Sequence, residues 1–291
     1  MNIALFNIIL SIFTWNVSAK TMSQMVAEAV KELKGNTADI TTLKQHVKIL
    51  EIIHDVCMPC KGVKGSSLCD CTTLDPKQDC LSFRQSGLTH NGLYRLKKDG
   101  FDFSTVYCDQ ETMGGGWTVI QRRQDGSVDF NRKWHDYKVG FGKLFGEMWI
   151  GNDNIHELTK ASKAPKKSEL LVTMRMKGQS KMVYAKYDIF MVGDEASKYL
   201  LTISGPSGNA TTTSSMLYYN NKRFTTKDAD NDNYSANCAS KYSGGWWFNS
   251  CWVQAHLNGI YKFVQTSDAI FWNWSSKIQP EFVEMKIRRK I

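Results

Sequence analysis

The sequence predicts an α+β domain of about 210 residues with long irregular loops, preceded by a short helical coiled coil. Three observations support this prediction. In residues 282–288, apolar Val283, Met285 and Ile287 alternate with charged residues, which is typical of a half-buried strand. Short helical patterns at residues 140–149 and 152–160 interrupt further strand-like segments at residues 181–192 and 199–205, in a region rich in Gly and Trp. Apolar residues at heptad spacing, before residue 56, indicate the coiled coil.

A signal peptide is predicted over residues 1–19. An apolar stretch from Ile3 to Trp15 precedes the small-residue pattern Val17-Ser18-Ala19, which resembles a cleavage site. The stretch is shorter than the roughly 20 residues that a membrane helix needs, and no later apolar run is long enough to span a bilayer. We therefore expect a secreted, extracellular protein without a membrane span.

The composition favours a folded domain and excludes nucleic acid as the expected partner. Lys and Arg number 37 against 28 Asp and Glu, which gives a formal net charge of +9, and 42% of the residues are apolar. The basic residues are scattered, and no stripe of them alternates with aromatic residues. We therefore expect most of the positive charge to lie on an ordinary solvated surface.

Residues 20–56 are predicted to self-associate as a parallel coiled coil. Two interleaved heptad series form the seam. The a series is Val26, Leu33, Ile40 and Val47, and the d series is Met22, Ala29, Asn36, Leu43 and Leu50. The series favours two strands without deciding between dimer and trimer, and a single amphipathic helix packed on its own domain is the alternative.

Residues 57–78 form a cysteine-rich neck. The heptad register places Cys57 at a d position, so we expect it to form an interchain disulfide with its copy in a parallel neighbour. Structural disulfides are the expected state of the four cysteines in this neck. Zinc binding and redox chemistry at the C-x-x-C pair are the alternatives. Three sequons, at Asn209, Asn233 and Asn273, are predicted N-glycosylation sites of a secreted protein.

The segment KDADNDNY, residues 227–234, carries three aspartates at alternate positions. Asp228, Asp230 and Asp232 have the spacing that begins an EF-hand loop, but Asn233 occupies its glycine position and Ala239 its closing glutamate position. From the residues alone, a cation site and a solvated acidic turn both remain open.

Several longer motifs resemble the fibrinogen C-terminal globular domain. They include DCLSFRQSG, NGLYRL, VYCDQETMGGGWTVIQRRQDG, NCASKYSGGWWFNSC and HLNGIY, and the resemblance covers residues 79–291. It implies an antiparallel sheet with short helices and long loops, and the disulfides Cys80–Cys108 and Cys238–Cys251. These two pairs leave four neck cysteines as the candidates for interchain disulfides: Cys57, Cys60, Cys69 and Cys71. Together with the coil, the chain resembles fibrinogen-related lectins such as ficolins and tachylectins, and also angiopoietin-like ligands.

The resemblance also implies a Ca²⁺ site in the aspartate-rich segment. Carried over by register to Cys238, the implied ligands are the side chains of Asp230 and Asp232 and the carbonyl oxygens of Tyr234 and Ala236. Asp228 would then have a supporting structural role. Two carboxylates and several neutral oxygens suit an extracellular site that fills at millimolar calcium.

A ligand pocket is implied beside this loop. In the acetyl-binding lectins of the family, an aromatic pocket takes an N-acetyl group, and the matching residues are Tyr242, Ser250 and Cys251. Trp252 stands where a histidine usually follows the second cysteine, so we expect an altered aromatic site that includes Trp252. Trp247 either contributes to it by stacking on a sugar or belongs to the core.

No set of residues in the sequence assembles into a catalytic site, so a non-enzymatic binding protein is expected. We expect His156 and His256 to form structural hydrogen bonds. The first functional hypothesis is an oligomeric, calcium-dependent lectin that binds glycans, N-acetylated ones among them, in innate defence. The alternative is an angiopoietin-like or matrix protein that binds a cell-surface receptor or another extracellular protein. Assembly through clot-like knobs is less expected, because no peptide knob is present at the N-terminus.

Overall fold

The computed structural model describes residues 60–62, 69–160, 167–210, 215–264, 266–273 and 279–290. The chain divides into two units, Met1–Ser67 and Leu68–Ile291. In the first unit only residues 60–62 are described, and Lys61–Gly62 forms a short strand, β1. The predicted signal peptide, the predicted coiled coil and Cys57 therefore lie outside the described residues.

The second unit is built on one large sheet. Its strands follow the order β2-β3-β4-β5-β13-β8-β9-β10, with β7 pairing with β5 and β6 with β7. All neighbours in this sheet are antiparallel except β2 and β3, which are parallel. The strands are β2 (Cys69–Asp70), β3 (Gly92–Lys98), β4 (Phe101–Asp109), β5 (Trp117–Arg123), β6 (Phe141–Gly142), β7 (Met148–Trp149), β8 (Ser168–Met176), β9 (Met182–Val192), β10 (Leu201–Gly208) and β13 (Pro280–Arg289).

A second, two-stranded sheet and short helices complete the described part of this unit. The small sheet pairs β11 (Ala255–His256) with β12 (Phe271–Trp272). The α-helices are α1 (Cys80–Gln85), α2 (Trp134–Val139), α3 (Asn152–Thr159) and α4 (Cys238–Tyr242). Two 3₁₀ turns span Thr112–Gly114 and Ser215–Tyr219. The predicted α+β class and antiparallel sheet are confirmed.

Strand β13 is a central strand, and this differs from the half-buried strand that its alternation predicts. It lies between β5 and β8, and its charged residues Glu284 and Lys286 are only 9% and 1% exposed. Buried charges are stable only when they are paired. Lys286 Nζ lies 2.6 Å from Asp109 and 2.7 Å from Glu284, and Arg122 Nε lies 2.7 Å from Glu284. Because these ion pairs compensate the buried charges, the charged face of β13 can be buried as well as its apolar face.

The helix predicted over residues 140–149 is wrong. This segment forms the hairpin of β6 and β7, in which Gly142 pairs with Met148. Gly142 has a φ of 90°, and a Cβ on it would lie 2.2 Å from the carbonyl oxygen of Glu147. Only glycine permits such a close turn, so the hairpin depends on a residue that also disfavours a helix. The helix predicted over 152–160 is confirmed as α3.

An aromatic core lies under the segment that carries the predicted site. Trp246 and Trp247 are fully buried, and the ring of Trp247 contacts those of Trp149 and Phe224 at centroid distances of 6.0 and 5.1 Å. The indole Nε1 of Trp247 donates a hydrogen bond to the carbonyl of Tyr199. Trp247 is therefore a core residue, and the sugar-stacking alternative for it is excluded.

The described cysteines are all in disulfide bonds. Cys80 is bonded to Cys108 and Cys238 to Cys251, as the resemblance implies. Cys60, Cys69 and Cys71 are also disulfide-bonded, and the described residues contain no free cysteine. Cys69 and Cys71 are fully buried, and interchain bonding of the neck cysteines stays a prediction.

Candidate functional site

The aspartate-rich loop is anchored to helix α2 by its first aspartate. Oδ1 of Asp228 accepts hydrogen bonds of 2.8 Å from the backbone N–H of Trp134 and from the hydroxyl of Thr226. Burial raises the pKa of this carboxyl, but these hydrogen bonds outweigh it and hold the pKa below 3.8. Asp228 therefore fastens the start of the loop to helix α2, and its role beside a bound cation stays a prediction.

The next two aspartates face each other at the centre of the loop. Asp232 accepts backbone hydrogen bonds from Tyr234 at 2.8 Å and from Cys238 at 3.0 Å, and Asp230 accepts one from Asp232 at 3.3 Å. Burial raises the pKa of Asp232, the two backbone hydrogen bonds lower it, and the carboxylate of Asp230 raises it; the net direction is a rise. The two carboxylates thus repel each other.

This donor set fits a hard cation. Within the described ranges, the contacts of the two carboxylates are backbone N–H groups, and no Lys or Arg side chain neutralises them. A divalent cation between two facing carboxylates removes their mutual repulsion, and oxygen donors are what Ca²⁺ prefers. The carbonyl of Ala236 lies 3.5 Å from Sγ of Cys251, at the end of the same loop. The described residues contain no cluster of three or more His, Cys, Asp or Glu side chains that could hold a metal ion, so a cation here would depend on two carboxylates and on backbone carbonyl oxygens.

A cleft of about 360 Å³ lies beside the loop. Three of the four predicted ligand-binding residues, Tyr242, Cys251 and Trp252, line it. Ser250 is not in the lining, and its hydroxyl lies 3.4 Å from that of Tyr218. Sequence reasoning missed the remaining lining residues, which are Lys241, Val253, Ser267 and Phe271.

The inner wall of the cleft is rigid. Tyr242 is only 7% exposed, its ring stacks on Phe248 at 5.7 Å, and its hydroxyl donates a hydrogen bond to the carbonyl of Cys251. Burial raises the pKa of this phenol. Nε2 of His256 lies 3.0 Å from the carbonyl of Tyr242, and burial lowers the pKa of His256 to about 3, so its imidazole is neutral at pH 7.

The outer wall of the cleft is an exposed aromatic ring. Trp252 is 61% exposed, although Trp246 and Trp247 nearby in the sequence are fully buried. An indole that lines a cleft and still faces water offers a flat apolar surface to a ligand. Trp252 is therefore the residue of this wall that is most accessible for recognition.

The loop and the cleft are covalently joined. The disulfide connects Cys238, whose N–H binds the Asp232 carboxylate, to Cys251, which lines the cleft. The cleft and the aspartate loop therefore share one short segment of chain, and a change in one is transmitted to the other through few bonds.

The three predicted glycosylation sites differ in their exposure to solvent. Asn209 and Asn233 are exposed, and Nδ2 of Asn233 donates a hydrogen bond of 3.1 Å to Asn249. Asn273 is only 6% exposed, so a glycan on it would require the side chain to leave its buried position. Glycosylation at the three sequons stays a prediction.

The two histidines that were expected to be structural form hydrogen bonds to carbonyls. Nδ1 of His156 lies 2.9 Å from the carbonyl of Val192, and His256 contacts Tyr242 as described above. Both expectations are confirmed. In the described part of the chain, no helix combines the length and the apolar character needed to span a membrane.

Comparison with known proteins identifies the family. Residues 76–290 match the model of the fibrinogen beta and gamma chains, C-terminal globular domain. The chain is 42% identical over 221 residues to fibrinogen-like protein A of Apostichopus parvimensis, a match covering 73% of this chain and 76% of that protein. It is 40% identical over 226 residues to angiopoietin-related protein 7 of Bos taurus, covering 75% of this chain and 63% of that protein.

A solved structure agrees with the sequence comparison. The fibrinogen-like globe domain of human ANGPTL6 superposes with a TM-score of 0.67 at 36% identity, over 76% of this chain and 98% of that chain. Its fold and the sheet described above therefore correspond over nearly the whole of that domain. The chain belongs to the fibrinogen C-terminal globular domain family.

Proposed function

We propose that this protein is a secreted, non-enzymatic recognition protein that binds small sugar groups in the cleft beside the aspartate loop. The observation that carries the proposal is Trp252, an exposed indole that lines a cleft of about 360 Å³ together with the buried ring of Tyr242. A sugar places its C–H face on an aromatic ring and its hydroxyls on nearby polar groups. The family to which the chain belongs supports a binding role.

Calcium has a structural role in this proposal. Bound by Asp230, Asp232 and the carbonyls of Tyr234 and Ala236, Ca²⁺ would neutralise the two facing carboxylates and order the loop. Because the disulfide joins that loop to Cys251, an ordered loop fixes one wall of the cleft. Removal of calcium should therefore weaken sugar binding without unfolding the sheet.

The proposal is tested by binding of the purified full-length protein to a glycan array in 5 mM CaCl₂ and in EDTA, concentrations of about that order being needed for an extracellular calcium site. We expect calcium-dependent binding, with N-acetylated sugars among the ligands, and loss of binding in Trp252→Ala. Absence of binding to every glycan, or equal binding by Trp252→Ala, would contradict the proposal.

The second candidate function is that of an angiopoietin-like protein whose domain docks on a receptor or another extracellular protein. The observation that favours it is the 40% identity to angiopoietin-related protein 7. Capture of a cell-surface protein by a chain that binds no glycan would support this function. A chain that binds glycans and captures no surface protein would exclude it.

Clustering of several chains would raise the apparent affinity of the protein for its target under either function. We propose that residues 20–56 assemble the chains in parallel, so that several clefts meet one surface. Multivalent attachment raises the apparent affinity by about 10²–10⁴ when the sites can be reached together. A weak single cleft is then sufficient for stable attachment in the extracellular space.

A further inference from the structure

One charged side chain in the cleft, that of Lys241, has no role in the fold or in the proposed function described above. Of the described residues that line the cleft, Lys241 is the only charged one. Its ammonium lies over the ring of Tyr242, 5.5 Å from the ring centroid. Within the described part of the chain Lys241 is exposed and forms no ion pair with a carboxylate.

Lys262, which lies close in sequence to Ser267 of the cleft lining, is already neutralised, unlike Lys241. Lys262 Nζ lies 2.8 Å from Oδ2 of Asp268, the residue that follows Ser267 of the cleft lining. The carboxylate next in sequence to the cleft is therefore paired and does not compete for Lys241. A free ammonium at the edge of an aromatic cleft attracts a negatively charged group.

We propose that the cleft selects anionic sugars, with the carboxylate or sulfate group bound by Lys241 and the sugar ring on Trp252. This inference rests on the proposed function, because it names the class of sugar that the same cleft takes. Trp252 offers its indole face for the ring, and the ammonium of Lys241 lies above Tyr242 at the other wall. One ligand can thus use both groups.

The aromatic surface favours an acidic sugar over an acidic peptide. Extended acidic peptides have side chains with little apolar area, whereas a pyranose ring presents a C–H face that matches an indole. The volume of about 360 Å³ is in the range of pockets that bury a small ligand. The cleft therefore fits one charged monosaccharide unit.

The test compares two ligands that differ by one anionic group, N-acetylglucosamine and its 6-sulfate ester. Their affinities for the full-length protein in calcium are measured by titration calorimetry, for the wild type and for Lys241→Met. We expect the wild type to bind the sulfated sugar at least about threefold more tightly, as an exposed charged contact contributes. In Lys241→Met the two affinities should become equal, and in wild type the preference should shrink at high salt.

A matched control removes the same charge elsewhere. Lys97 is exposed on strand β3 and is not part of the lining, so Lys97→Met should keep the preference for the sulfated sugar. Loss of the preference in Lys97→Met would show that it follows net charge alone and would overturn the inference. A preference that persists in Lys241→Met would overturn it as well.

The remaining outcomes separate this inference from the proposed function. Equal affinity of the wild type for both sugars, with loss of both in Trp252→Ala, overturns the anionic preference and leaves sugar binding intact. Failure to bind either sugar or any other glycan contradicts the proposed function itself. Binding of a hexaglutamate peptide through Lys241, with no binding of sulfated sugar, overturns the assignment to a sugar and identifies an acidic peptide as the ligand.

Discussion

At the scale of single residues, two tryptophans close together in the sequence have opposite roles. Trp247 is buried in the aromatic core, and Trp252 is exposed beside the cleft. Trp247→Ala should lower the free energy of unfolding by about 3–5 kcal/mol, because it leaves a large cavity. Trp252→Ala should change it by less than about 0.5 kcal/mol, as surface substitutions do, while ligand binding is lost.

Urea unfolding of both variants checks this contrast. Trp252→Phe is the matched control, because it keeps an aromatic surface in the cleft and should retain part of the binding. A large destabilisation by Trp252→Ala would show that this indole supports the fold, and its assignment to recognition would then be wrong.

Asp109 makes stability depend on pH. Burial raises the pKa of this carboxyl, but the charge of Lys286 and its hydrogen bonds outweigh burial and hold the pKa below 3.8. A carboxylate with a depressed folded-state pKa stabilises the protein above its unfolded pKa, and this contribution is lost as pH falls through the folded value. The free energy of unfolding should therefore fall as pH drops below about 3.8.

Asp109→Asn isolates that contribution. The variant should lose about 3 kcal/mol at pH 7, since Lys286 is then left with Glu284 alone in a buried site. Its unfolding free energy should also depend less on pH between 2 and 5 than that of the wild type, a window set by the ordinary carboxyl pKa of about 4. Parallel pH profiles would contradict the role given to Asp109.

At the scale of elements, the segment from α4 to the cleft is held by a disulfide. The Cys238–Cys251 bond closes a loop with a sequence separation of 13, and its removal should cost about 3 kcal/mol from loop entropy. Replacement of both cysteines by alanine should therefore weaken calcium binding and sugar binding together, while far-UV circular dichroism still reports the sheet.

Replacement of Cys80 and Cys108 is the matched control. That bond joins α1 to β4 and touches neither the aspartate loop nor the cleft lining. The control variant should lose stability and keep both binding activities at temperatures where it is folded. Wild-type binding by the variant that lacks Cys238 and Cys251 would contradict the coupling between loop and cleft.

Some secondary-structure elements could be predicted from the sequence alone, and the position of one strand could not. Strands β9, β10 and β13 and helix α3 follow from alternation and helical spacing, because their patterns are long and local. The position of β13 between β5 and β8 does not follow, because its charged face is buried only through Asp109 and Arg122, which are distant in sequence. Tertiary ion pairs override the local pattern there.

The cleft likewise contains residues that the sequence predicted and residues that it did not. Tyr242, Cys251 and Trp252 were predicted from a resemblance in one continuous segment, and the structure brings them together in the cleft. Phe271 was missed because it reaches the cleft through the β11–β12 pairing, which no local pattern reveals. Lys241 could have been predicted as a lining residue, because it is a charged residue directly before Tyr242 in the sequence.

At the scale of the whole molecule, self-association is predicted to depend on the heptad seam of residues 20–56. Leu43 occupies a d position in that seam, and Gln45 an outward f position. Leu43→Lys should dissociate the oligomer, because a charge at d is buried between helices. Gln45→Lys should leave it assembled. Sedimentation velocity of the full-length variants measures both, and equal sizes for the two would contradict the predicted seam.

Dissociation should also lower attachment to surfaces that carry many copies of the ligand. The single cleft is unchanged in Leu43→Lys, so its affinity for a soluble monosaccharide should equal that of the wild type. Only the multivalent gain of about 10²–10⁴ should disappear. A monosaccharide affinity that falls with the oligomer would show that the cleft itself depends on assembly.

The central claim, that Asp230 and Asp232 bind Ca²⁺ and thereby order the cleft wall, is tested most directly by thermal unfolding during a calcium titration. With a dissociation constant of about 0.1–1 mM, 10 mM calcium should stabilise the wild type by about 1.4–2.7 kcal/mol and raise Tm by about 3–10 °C. Asp230→Asn should abolish the rise, and Asp99→Asn, the same change at an exposed turn outside the loop, should keep it. A wild-type Tm that does not change with calcium, or an equal rise in Asp230→Asn, would contradict the claim.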